Sequence, residues 1–86
     1  MLEYLSSPDK VKLTHAVFKR FCLLTKQCHR RGKVMDIAPS TLASIKLYNQ
    51  MRYRYLRGIL THTEREAAAE QEVCQWLVSE WKRVVG

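Results

Sequence analysis

The sequence predicts an all-α protein: a small three-helix bundle with helices over about 8–31, 40–57 and 62–85, led by an N-terminal apolar flap. Three observations predict it. Apolar residues recur at the three- and four-residue steps of a helix through most of the chain. Only three Gly and two Pro punctuate the 86 residues, too few for a turn-rich β fold. Helix start and stop signals fall at the ends of the periodic stretches. A chain of this length forms one helical domain, 1–86, and hides only about 60–65% of its unfolded surface when it folds. Such a core gains from any partner or second copy.

Met1, Leu2, Tyr4 and Leu5 form the flap, expected to fold back over the bundle. Ser7-Pro8-Asp9 then opens the first helix. Ser7 can cap, Pro8 suits the first helical position, and Asp9 meets the positive end of the helix dipole. Gly32 supplies the left-handed residue that ends it. Val11, Thr14, Val17, Phe18, Phe21, Cys22, Leu24, Thr25 and Cys28 share one broad side at about 100° per residue. Lys12, Lys19 and Lys26 follow at seven-residue steps on the other side, with Arg30 after them. Arg30 and Arg31 belong to a basic cluster, His29–Lys33, which also complements the negative end of the dipole.

Asp36 or Ser40 is expected to cap the second helix, with Pro39 in its first turn. Leu42, Ile45, Tyr48, Met51, Tyr55, Leu56 and Ile59 face inward, while Lys46, Gln50, Arg54 and Arg57 face outward. Arg52 falls near the apolar side, where a cation must snorkel, pair or meet a partner. Tyr53 lies on the outer edge of the apolar arc. Gly58 marks the helix end. Two overlapping capping boxes follow, Thr61 with Glu64 and Thr63 with Glu66. The third helix carries an apolar arc of about 200°, including Val73, Leu77, Val78, Trp76, Trp81 and Val84, wider than one core-facing stripe requires. It is therefore either central or in contact with another chain. Glu64, Glu66, Glu70 and Glu72 read as the acidic start that a helix dipole favours.

Charge divides the chain. Residues 1–60 hold twelve Lys/Arg against three acids, or +9, whereas residues 61–86 carry −2. A basic body implies a nucleic acid or an acidic protein surface as partner. The nucleic-acid reading assigns Lys12, Lys19, Lys26, Arg30, Arg31, Lys46, Arg52, Arg54 and Arg57 to phosphate contact, with Tyr53 available for stacking. The plain alternative is a solvated face that keeps a small protein soluble. A second functional reading is a protein-binding adaptor or inhibitor, possibly a homodimer, docking through the third helix with Tyr53, Trp76 and Trp81 at the interface.

Catalysis and cofactors are not expected. His15, Cys22 and His29 recur every seven residues, about 10 Å apart, too far for one metal ion. No base is placed to activate Cys22 or Cys74, and the glycines are too scattered for a phosphate loop. Asp36–Leu42 has the look of a helix-turn-helix turn, but the preceding helix is too long and the connection from Gly32 does not fit. Three cysteines without framework spacing point to free thiols in a reducing compartment, cytoplasmic or nuclear. No signal peptide or membrane span is read: the N-terminus lacks a basic lead, and no apolar run exceeds four residues.

Overall fold

The computed structural model describes residues 3–5 and 7–86. Its order is β1 (Glu3–Leu5), α1 (Pro8–Arg31), α2 (Pro39–Leu56), β2 (Thr61–Thr63) and α3 (Glu64–Val84). The bundle is all-α in substance, as the periodicity predicts, with helix ends within two residues of those expected. The Ser7 hydroxyl accepts the Lys10 amide at 3.3 Å and starts α1. At Gly32 (φ 62°) the amides of Gly32 and Lys33 fold back to the carbonyls of His29 and Cys28, closing the left-handed stop. Gly58 (φ 82°) ends α2 in the same way, its amide and that of Ile59 reaching Tyr55 and Arg54.

Three expectations are corrected. Neither Asp36 nor Ser40 caps α2: the cap is Ala38, without a side-chain hydrogen bond, and Pro39 takes the first helical position. Of the two overlapping boxes, Thr63 with Glu66 forms, and Thr61 is drawn into β2. The flap becomes a strand. Glu3, Tyr4 and Leu5 pair antiparallel with Thr63, His62 and Thr61, and the Tyr4 hydroxyl donates to Glu64. Met1 and Leu2 lie outside the described residues, as does the side chain of Leu5.

α3 is the central helix, packing on both α1 and α2, which touch each other much less. The core gathers Val17, Leu24 and Cys28 of α1, Ile45, Tyr48, Met51 and Tyr55 of α2, and Val73, Leu77 and Val84 of α3. Its edge is less apolar than the helical wheel suggests. Cys22, Thr25, Leu42, Leu56 and Ile59, all assigned inward from the sequence, are exposed.

The innermost line of α3 reads Glu66, Glu70, Val73, Leu77, Glu80, Val84, alternating steps of four and three, and all six are buried. Three carboxylates thus occupy core positions, and each is met by a different part of the chain. Arg54 of α2 reaches Glu66 at 2.6 and 2.7 Å. The Thr14 hydroxyl of α1 donates to Glu70 at 2.6 Å, with Lys10 4.0 Å away. Glu80 receives Arg83 at 2.7 and 2.8 Å and the Asp36 amide of the α1–α2 connection at 3.0 Å. Glu72 adds a contact with the Ser44 hydroxyl of α2. A buried carboxylate is tolerated only when its lone pairs are filled, so these pairings fix where each element meets α3. The acidity of α3 is used inside the fold.

Candidate functional site

With Glu66, Glu70 and Glu80 turned inward, the exposed surface is dominated by cations. On α1, Lys12, Lys19, Lys26 and Arg30 are exposed. At about 100° per residue they lie within an arc of roughly 40° centred opposite the buried line Thr14, Val17, Leu24 and Cys28. Among the described residues none of the four enters an ion pair. Arg31 is exposed too, its Nε donating to Gln27 of the preceding turn at 3.3 Å. α1 therefore holds a straight row of unneutralised charge on a rigid element.

α2 contributes less than the sequence suggests. Lys46 is exposed. Arg57 lies across the Tyr53 ring, 4.6 Å from its centroid, and donates to the Tyr53 hydroxyl at 3.0 Å. The two form a flat cation–aromatic unit at the end of α2, with Tyr53 56% exposed. Arg54, expected to face outward, is instead half-buried and committed to Glu66, with a further hydrogen bond at 3.3 Å to the Thr61 carbonyl. Arg52 turns toward α1, its guanidinium carbon 3.4 Å from the Phe18 ring centroid. Its Nε is buried with no hydrogen-bond partner among the described residues. The cation–π contact and the α1–α2 seam account for this arginine, so neither Arg52 nor Arg54 belongs to the outward row.

The two tryptophans separate as well. The Trp76 indole packs 6.0 Å from Phe21, and its Nε1 donates to the Asp36 carbonyl at 3.0 Å, tying the connection to α3. Trp81 is 38% exposed and lines a groove between α1 and α3 together with Leu23, Val78, Arg20 and Lys82. Sequence reading missed Arg20 and Lys82. Their signal was faint: each is a cation close to an exposed apolar residue, Leu23 three positions after Arg20 and Trp81 beside Lys82.

No protein-family profile matches the chain, and neither the curated proteins nor the solved structures contain a match. Geometry alone carries the functional reading. Among the described residues no group of three or more His, Cys, Asp or Glu is placed to hold a metal ion, and no helix is long and apolar enough to cross a membrane. Cys22, Cys28 and Cys74 are unpaired. Two titratable groups that depart from their ordinary behaviour do so within structural contacts. Burial and then the nearby Glu70 charge push the Tyr48 phenol up, and its hydroxyl donates to the Thr14 carbonyl. Burial, followed by the Lys10 charge, holds the His62 imidazole below its usual range, where its Nδ1 is 3.0 Å from the Tyr55 hydroxyl.

Proposed function

We propose that this is a small basic, non-enzymatic regulatory protein that associates with nucleic acid through the outer side of α1. Lys12, Lys19, Lys26 and Arg30 are the principal phosphate contacts, and Lys46 and the Arg57–Tyr53 unit are additional ones. The observation that carries the reading is the unpaired row on α1, set against three acids consumed in the core. Seven-residue steps place successive lysines about 10 Å apart, close to three base-pair rises of about 3.4 Å. Contacts of this kind position a protein on a duplex without reading its sequence, while Tyr53 offers a ring on which an unstacked base can rest. Three unpaired thiols suit a reducing compartment, the cytoplasm or a nucleus.

Four phosphate contacts give a slope of log K against log salt of about −3.6 on a duplex, or a loss on the order of a hundredfold between 50 and 200 mM. Fluorescence anisotropy with a generic duplex and a generic single strand measures it directly. The triple variant Lys12→Glu, Lys19→Glu, Lys26→Glu changes only exposed positions, so it is expected to fold and to lose binding. A folded wild-type protein that ignores both probes at low salt, or a triple variant that binds as tightly as wild type, overturns the proposal.

A further inference from the structure

The groove between α1 and α3 borders the basic arc: at about 100° per residue its rim residue Leu23 lies some 20° from Lys12 and Arg30, and none of the four cations of the arc lines it. Its floor is Val17, Leu24 and Leu77, all buried. Leu23, Val78 and Trp81 rise around it, exposed by 49%, 51% and 38%. The half-open groove holds about 310 Å³, at the small end of the roughly 300–1,000 Å³ typical of ligand pockets. Burial pushes the Cys74 thiol up, so this lining residue is neutral and behaves as a small apolar group.

Two cations line the same groove. Three cations beside α3 are given an acid: Lys10 has Glu70, Arg54 has Glu66 and Arg83 has Glu80. Arg20 and Lys82 are exposed, and among the described residues neither has an ion pair. An apolar trough flanked by two uncompensated cations is complementary to an apolar chain ending in an anion. Size selects among such ligands. A space of about 310 Å³ is of small-ligand size, which favours a small amphiphile over a macromolecular partner.

We propose that this groove binds a single-chain carboxylate amphiphile, a medium-chain fatty acid, with its tail along Val17, Leu24 and Leu77 and its carboxylate between Arg20 and Lys82. Trp81 borders the tail and reports its arrival.

The 86-residue protein, stripped of bound lipid, is titrated with decanoate and with decanol. Binding is followed by calorimetry and by Trp81 emission in a Trp76→Phe background. Decanoate is expected to bind at least tenfold more tightly than decanol. Across hexanoate, octanoate and decanoate the affinity should rise roughly fourfold per methylene. Arg20→Gln with Lys82→Gln should bring decanoate down to the level of decanol and leave decanol unchanged. Val78→Trp, which fills the trough from an exposed position, should abolish both, with circular dichroism verifying the fold. The triple glutamate variant of α1 changes no lining residue and should bind the uncharged decanol as wild type does, which separates this site from the polyanion surface. Equal binding of acid and alcohol, absence of a chain-length dependence, or no binding by the folded wild type overturns the assignment. So does a concentration-dependent dimer, or an acidic helical peptide held in the groove, that decanoate fails to displace.

Discussion

Glu66 is buried, yet two donors converge on its carboxylate. Arg54 Nη2 spans both oxygens, and the Thr63 amide reaches Oε1 at 3.0 Å. Burial alone pushes this carboxyl up, but the hydrogen bonds from Arg54 and Thr63 and the Arg54 charge outweigh it, and the group is held below its usual range. Glu80 is held low chiefly by its hydrogen bond from Arg83. Removing Arg54 strands a buried charge, so Arg54→Met is expected to cost about 2–3 kcal/mol in urea unfolding. Because one nitrogen makes both contacts, Arg54→Lys should recover part of that loss, and in a Glu66→Gln background Arg54→Met should cost much less. A loss under about 0.5 kcal/mol, the range of an ordinary surface substitution, would remove Arg54 from the structural role assigned to it. His62 titrates in the same sense for a different reason, its imidazolium being disfavoured first by burial. A lowered folded pKa means that the unfolded chain takes up protons first, so stability from His62 is complete above its ordinary 6.5 and is lost as pH falls. Glu66 and Glu80 follow below their ordinary 4.5. Stability should therefore decline in two stages on acidification. His62→Phe should flatten the first stage, between about pH 7 and 5, at a fixed cost because the Tyr55 hydroxyl loses that partner. An unchanged slope in the variant would assign the first stage to another group.

At the scale of elements, the ends are local and the pairings are not, and this sets what the sequence discloses. Ser7-Pro8-Asp9, Gly32, Gly58 and the Thr63–Glu66 box act within a few residues of themselves, and all of them are legible as caps and stops. The β1–β2 ribbon is not, because Glu3–Leu5 has no alternation strong enough to mark a strand until Thr61–Thr63 lies beside it. Glu66, Glu70 and Glu80 mislead for a similar reason. Their four-and-three spacing with Val73, Leu77 and Val84 is visible in the sequence, but charge argues for the surface until Arg54, Thr14, Arg83 and the Asp36 amide are in place. The same blindness made Arg54 look outward, whereas the α1 lysines, which need no partner to explain them, were read correctly as exposed. Two substitutions test the local signals. Thr63→Ala removes the hydroxyl that accepts the Glu66 amide at 3.2 Å, with an expected loss of about 1 kcal/mol. Gly58→Ala meets no atom within 4 Å but keeps a φ of 82°, so it should cost about 1 kcal/mol through backbone strain alone. A neutral result there in thermal unfolding would mean that α2 can end in another conformation.

Over the whole molecule, charge and shape act together. The principal extents are 40, 23 and 17 Å, and the radius of gyration is 13.5 Å, beyond the roughly 12 Å of a round domain of this length. α1 accounts for the elongation, since 24 residues rise about 36 Å. It presents its unpaired cations along that long axis, at separations close to the Debye length of about 10 Å at 0.1 M salt. Neighbouring lysines therefore repel one another most at low ionic strength, and a bound polyanion relieves that repulsion as well as gaining its own contacts. A ligand that binds only the folded state stabilises it by about 2.7 kcal/mol at a hundredfold excess over Kd. For a domain of 60–100 residues each kcal/mol raises Tm by roughly 4–8 °C. A generic duplex at that excess in low salt should thus raise Tm by about ten degrees or more, and the gain should vanish at several hundred millimolar salt. The triple glutamate variant of α1 should show no such gain with duplex. Were its Tm to rise with duplex as far as that of wild type, the stabilising contacts would lie elsewhere, and the row on α1 would be a solvated face after all.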